Sequence, residues 1–249
     1  MTTIDRTTAT KRVPMTSLRK TALFAGLSYV ISFCSIPTLT LYRAVHDPNY
    51  MVNPGPDTPV LLGGVLEIIV ALAGIGTAIF LYPLVKRQNE ALAMGFVGAR
   101  TLEAATIFVG VAALLTVVTL RQAGAGADGL VAGQALVAFY DRIFMLGQGF
   151  IPAINGLLLG TLLYRSRLVP RVLPALGLIG APLLIVGAAG TVFGLWDRMS
   201  AVIGILTIPI AVWEFSLGVY LIVKGFKPSP ITAGMTTVKT RPGYQDATV

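Results

Sequence analysis

The sequence predicts an all-α fold: a polytopic transmembrane bundle of six helices with both termini cytoplasmic. Three observations carry that expectation. Of 249 residues, 55% are hydrophobic and only 12% charged, with a mean hydropathy of +0.78, against about 25% charged in an ordinary soluble domain. Six apolar runs, at 21–41, 58–82, 92–120, 134–164, 173–195 and 200–223, are each long enough to cross about 30 Å of hydrocarbon, which takes roughly 20 helical residues. Lysine and arginine are also distributed unevenly between alternate loops.

Residues 1–17 are polar and basic, with no apolar period, and read as disordered. Helix 1 is too long for the apolar part of a signal peptide, and no small-x-small cleavage site follows before Tyr42. The segment from Tyr42 to Asp57 separates helices 1 and 2, and Lys86-Arg87-Gln88-Asn89-Glu90 separates helices 2 and 3. Helix 3 ends in the glycine-rich stretch Arg121 to Gly133. Helix 4 contains Gly147, Gly149 and Pro152, and Pro152 cannot donate to the carbonyl of Gln148. The expectation there is an ordinary kink, or else a broken helix of the kind that lines sites in some transporters. Arg165 to Arg171 closes helix 4. Helices 5 and 6 are divided by Trp196-Asp197-Arg198 and carry Pro182 and Pro209, each expected to kink its helix. The six-helix domain thus occupies 18–225, and the Pro-, Thr- and Gly-rich tail at 226–249 reads as disordered.

Orientation follows from the basic residues near helix ends. The N-terminal segment has Arg6, Lys11, Arg12, Arg19 and Lys20, the 2–3 loop Lys86 and Arg87, the 4–5 loop Arg165, Arg167 and Arg171, and the tail Lys224, Lys227, Lys239 and Arg241. The alternate side has only Arg43, Arg121 and Arg198. An excess of Lys and Arg marks the cytoplasmic side, so both termini are expected inside, in a multi-pass protein of the cytoplasmic membrane. Anionic headgroups of the lipid bilayer answer the net charge of +8, and no nucleic acid is needed as a partner.

An ionisable side chain at the bilayer centre costs about 2.5–3.5 kcal/mol on the insertion scale, so the charged residues inside the runs are informative. They are Glu67 in helix 2, Arg100 and Glu103 in helix 3, Asp141 and Arg142 in helix 4, and Glu214 in helix 6. From the helical rise, Glu67 and Glu214 fall roughly 14–21 Å below the outer end, and Arg100 and Glu103 roughly 12–17 Å in from the cytoplasmic side. Asp141 is shallower. Helix 2 places Gly63, Glu67, Ala71, Gly74 and Ala78 on one face, and helix 6 does the same with Thr207, Ala211, Glu214 and Gly218. Small residues permit close helix approach, so both glutamates are expected to point inward. In helix 4, Gln134, Asp141, Gln148 and Asn155 recur every seven residues and form one polar stripe.

Arg100 and Glu103, at i and i+3, can pair directly, whereas Arg142 lies about 100° around the helix from Asp141. If each arginine neutralises one acid, two of the four acids are left to be protonated, hydrated or cation-bound. The expected intramembrane polar cluster is therefore Glu67, Arg100, Glu103, Asp141, Arg142, Gln148, Asn155 and Glu214. The plainer alternative is that these residues only fix helix packing.

Most enzyme chemistry is excluded. One cysteine, Cys34, and one histidine, His46, cannot build a disulfide framework, a thiol-rich zinc site or a bis-histidine haem. There is no H-E-x-x-H or G-x-S-x-G, and Gly124-Ala125-Gly126-Ala127-Asp128-Gly129 follows no strand. Cys34 reads as a packing residue, and His46, in the outer loop beside Asp47, could at most tune a pH response. No catalytic residue, metal or cofactor is implied.

Certain stretches carry a further signal: Leu18-Arg19-Lys20-Thr21-Ala22-Leu23, Asp57 through Leu66-Glu67, Leu81-Tyr82-Pro83-Leu84-Val85-Lys86-Arg87-Gln88-Asn89-Glu90, and Ala99-Arg100-Thr101-Leu102-Glu103. In these the chain resembles the bacterial membrane proteins grouped as domain of unknown function 4386, over about residues 18–225. The resemblance implies a six- or seven-helix bacterial inner-membrane protein and brings no reaction, ligand or functional residue. The functional expectation is a permease-like or proton/cation-coupled protein that handles a small solute, a proton or a cation at the acid–arginine cluster. A structural or regulatory membrane subunit is the alternative, and an enzyme acting on lipid is the third reading. Nothing in the sequence bears on oligomeric state.

Overall fold

The computed structural model describes residues 15–233, and every regular element among them is helical. In chain order these are α1 (Ser17–Ile31), α2 (Thr38–Leu41), α3 (Thr58–Val85), α4 (Glu90–Gln122), α5 (Leu130–Gly147), α6 (Ile151–Ser166), α7 (Val172–Val192) and α8 (Ala201–Val223), with short 3-10 turns between some of them. They make up six helical segments long and apolar enough to cross a membrane: Ser17–Leu41, Thr58–Val85, Glu90–Gln122, Gly126–Ser166, Val172–Val192 and Ala201–Val223. With six passes, the start of α1 and the end of α8 share one face, called proximal below; the opposite face is distal. Arg19 ties the two ends together, since its guanidinium donates to the carbonyls of Leu221, at 2.8 Å, and Ile222.

Two of the six runs are interrupted, and both interruptions have chemical causes. The run expected as a continuous helix at 21–41 leaves α-geometry after Ile31. There the hydroxyl of Ser32 donates to the carbonyl of Tyr29 at 2.6 Å and that of Thr38 to Ser35 at 2.7 Å, competing with the helix ladder, and Pro37 offers no N–H. The run at 134–164 is two helices, separated by Gln148-Gly149-Phe150. Pro152 falls in the first turn of α6, where a missing N–H costs nothing. A Cβ on Gly147 would lie 2.2 Å from Oγ1 of Thr106 on α4, so glycine lets α5 close onto α4 just before the break. By contrast, Pro83, Pro182 and Pro209 lie within continuous helices.

The packing is apolar on the outside and mixed within. On α3, Val65, Leu72 and Ile79 point outward, while Gly63, Glu67, Ala71, Gly74 and Ala78 are buried on the opposite face. The larger core occupies the proximal half, where Phe96, Leu81, Leu163, Trp213 and Leu217 are fully buried. Helix α4, 33 residues long, extends about 50 Å and exceeds the roughly 30 Å of a hydrocarbon layer. Against its distal end and α5 packs the 42–57 segment, through Tyr42, Val45, Tyr50 and Met51. Asp57 pins that segment by accepting from Arg121, from Tyr50 Oη at 2.7 Å and from Gln122 Nε2 at 3.0 Å.

At the ends, Thr16 caps α1, its hydroxyl accepting from the Arg19 amide, so order begins within the stretch expected to lack it. The start of the tail is likewise a correction. Lys227 N–H donates to Leu168 O at 2.7 Å, Ser229 Oγ donates to Ser166 O at 2.7 Å, and Thr232 is buried in a short 3-10 turn. The rest of the expected disorder, 1–14 and 234–249, lies outside the described residues.

Candidate functional site

The polar residues expected as one cluster fall into three groups stacked along the bundle. The innermost centres on Arg100, whose side chain is 4% exposed. Its Nη1 donates to Glu103 Oε2 at 3.0 Å, and its Nη2 to Glu214 Oε1 at 2.5 Å and to Tyr29 Oη at 3.4 Å. Asn155 completes the group, its Nδ2 donating to Glu103 Oε2 at 2.8 Å. Tyr29 and Phe96 also offer ring faces to the guanidinium, at 5.3 and 5.8 Å. Helices α1, α4 and α8 therefore meet on a single cation, and α6 joins them through Glu103. Two carboxylates on one arginine leave one formal negative charge, and Arg100 Nε and Asn155 Oδ1 are buried without a partner.

Beside this group is a cavity of about 210 Å³, lined on its polar side by Arg100, Glu103, Glu214, Gln148 and Thr207. The broken turn between α5 and α6 is what brings Gln148 to it. At about 30 Å³ per liquid water, the space holds several waters or a small solute.

Glu67 forms the second group. Its Oε1 accepts from Tyr140 Oη at 2.8 Å and from Gln148 Nε2 at 3.4 Å, while Oε2 is buried without a partner. The ring of Tyr42 packs edge-on to Tyr140, with centroids 5.4 Å apart. A Cβ on Gly63 would sit 2.3 Å from that ring, so glycine one turn before Glu67 admits Tyr42. Gln148 touches both this carboxylate and the Arg100 cavity.

Asp141 belongs to neither. It lies at the distal end, 32% exposed, with its Oδ1 2.7 Å from Arg198 Nη2 and 3.0 Å from His46 Nε2. Arg142 is exposed and makes no ion pair among the described residues. The condition that each of the two arginines neutralises one acid is therefore not met by Arg142, and Arg198, from the segment joining α7 and α8, is the arginine that pairs with Asp141. The heptad stripe on helix 4 is nevertheless polar for a reason at every position, since Gln134 donates to the Pro48 carbonyl at 3.1 Å and the other three members make the contacts above. Tyr29, Tyr42 and Tyr140 join these groups although none is among the residues expected from the sequence. For Tyr29 and Tyr140 the available signal was tyrosine inside a span, away from the interfacial belt where it is usual; Tyr42, at a span end, carried no such signal.

Comparison with curated proteins and with solved structures returns no match. The model of a family described as domain of unknown function, DUF4386, matches residues 24–225, most of the chain and the whole of the polar core described above, and the chain belongs to that family.

Proposed function

We propose that this protein, whose six apolar helices are consistent with an integral membrane protein, binds a proton or small cation at its buried acid–arginine cluster. On this reading it couples that binding to the movement of a small solute, as a permease-like protein of a bacterial cytoplasmic membrane with both termini inside. One observation carries the reading. Glu103 and Glu214 share a single arginine and border a cavity of about 210 Å³, and a third buried carboxylate, Glu67, has no ion pair among the described residues and is joined to that cavity through Gln148. An excess of buried carboxylate is costly unless a proton or cation answers it. Gln148, placed by the helix break, touches both the cavity and Glu67, as a residue that senses two states would.

A second reading, that the ion pairs only hold α1, α4, α6 and α8 together, draws on the same four-helix junction at Arg100. The two separate in proteoliposomes that report pH-gradient-driven proton flux through a trapped pH dye. Glu214→Gln keeps the side-chain shape, so the proposal expects flux to be abolished and the thermal midpoint in detergent to be retained. Unchanged flux with lost stability would establish the packing role.

A further inference from the structure

Glu67 differs from the Arg100 group in what surrounds it. The space it shares with Thr106, Ile107, Gly110, Ile143 and Phe144 leaves no volume for a water molecule. A hard cation takes six or more oxygens at about 2.3–2.6 Å, and here the carboxylate has only two, one of them already receiving N–H and O–H donors. No group of three or more acidic, histidine or cysteine side chains able to hold a metal occurs among the described residues. A ligand that needs neither volume nor a coordination shell is a proton.

A hydroxyl path reaches Glu67 from the distal side. Tyr140, which donates to Glu67, also lines a distal vestibule of about 610 Å³, together with Tyr42, His46, Arg43 and Arg198. Tyr42 Oη is a second hydroxyl, buried and without a partner, like Glu67 Oε2. We infer that Glu67 is a proton-loading carboxyl filled from the distal vestibule through the hydroxyl of Tyr140. In the loading step, hydronium in the vestibule gives a proton to the Tyr140 oxygen and is left as water, the original O–H bond of Tyr140 breaks, and its proton forms the O–H bond on Glu67 Oε1. Tyr140 ends unchanged and Glu67 neutral. The charged and titratable groups around the path are Tyr42 and Tyr140 beside the carboxylate and His46, Asp141, Arg43 and Arg198 about the vestibule. On the proximal side they are Arg100, Glu103 and Glu214.

The inference deepens the proposed function and rests on it for its role in coupling; the proton site itself is testable without flux. Full-length protein in liposomes is examined by infrared spectroscopy for a protonated-carboxyl C=O band that titrates with external pH. The band should vanish in Glu67→Gln. In Tyr140→Phe, which keeps the ring, the shift of that band after transfer to heavy water should slow by at least about 100-fold, the scale of a positioned proton donor. Tyr42→Phe added to it closes the second hydroxyl. A band that persists in Glu67→Gln, or unchanged exchange in the double tyrosine variant, overturns the inference. If the band and its tyrosine dependence appear in a protein without proton flux, the transport reading fails and the loading site stands. Flux lost in Glu214→Gln but intact in Glu67→Gln, with no titrating band, does the reverse.

Discussion

Both ring nitrogens of His46 face acceptors, Nδ1 at 2.7 Å from the Tyr42 carbonyl and Nε2 at 3.0 Å from Asp141. Neutral imidazole has a single N–H, so only the imidazolium donates to both. The hydrogen bond to Asp141 is the main influence holding the His46 pKa above its ordinary value; burial opposes it, the Tyr42 carbonyl and the Asp141 charge add to it, and Arg198 subtracts. A raised folded-state pKa stabilises fully below the unfolded value, and that stability is lost as pH rises through the folded value. Asp57 works in the opposite sense. Burial alone would raise it, but hydrogen bonds from Tyr50, Gln122 and Arg121, with the charge of Arg121, hold it below the ordinary carboxylate range, so its contribution is lost as pH falls. Thermal midpoints of wild type and His46→Gln, followed across pH, should differ below the folded-state pKa of His46 and converge above it. The gap corresponds to about 0.5–1 kcal/mol, as befits a partly exposed pair. The acid-side loss from Asp57 should remain in both, and parallel curves throughout would refute the His46 assignment. At this scale the sequence was legible where spacing fixed the partner, as for Arg100 with Glu103. It was not legible where partners lie on segments remote in the chain. Arg142 and Arg198 are equally basic in the sequence, and only the fold brings the second to Asp141.

The break between α5 and α6 is the element on which the site depends, because it turns Gln148 toward both Glu67 and the inner cavity. Gly147 makes the preceding turn possible by leaving room for Thr106. Gly147→Ala should therefore destabilise the protein by about 1–3 kcal/mol, the usual range for overpacking. Because a Cβ there would meet Oγ1 of Thr106 at 2.2 Å and its Cβ at 2.8 Å, Thr106→Ala should restore part of the loss. A double-mutant cycle on thermal or denaturant unfolding measures the coupling, and strictly additive losses would show that the contact does not limit the packing. The existence of each span was readable because an apolar run of that length has few alternatives. The interruptions were less so: hydropathy averages over a window, whereas a helix ends on single hydroxyls, glycines and prolines. A proline alone does not locate a break, since Pro182 and Pro209 sit inside continuous helices while Pro152 begins a new one. The order from Lys227 to Thr232 is not legible in the sequence, because a few hydrogen bonds and one buried threonine leave no periodic trace.

Across the whole molecule, the two faces differ in charge in a way that the fold makes geometrically consistent. Arg19, Lys86, Arg87, Arg165, Arg171 and Lys224 lie at helix ends on the proximal face, while the distal face carries Arg43, Arg121 and Arg198 beside Asp47, Asp57, Asp128, Asp141 and Asp197. Two of those distal arginines are bound to aspartates, Arg121 to Asp57 and Arg198 to Asp141, which leaves Arg43 and the adjacent α5 residue Arg142 as the distal arginines without an ion pair among the described residues and puts most of the free positive charge at the proximal end. Basic residues near span ends are retained on the cytoplasmic side, where anionic lipid adds about 1 kcal/mol for each Lys or Arg close to the surface. The proximal face is therefore expected inside and the vestibule leading to Glu67 outside, which would make loading responsive to external pH. With Cys34 replaced by Ser, single cysteines at the exposed positions Asp128→Cys and Asp197→Cys should react with a membrane-impermeant maleimide added to intact cells. Lys86→Cys and Arg165→Cys should react only after the membrane is opened. Labelling of the second pair from outside would invert the orientation, and the Glu67 carboxyl would then load from the cytoplasm through the same tyrosine.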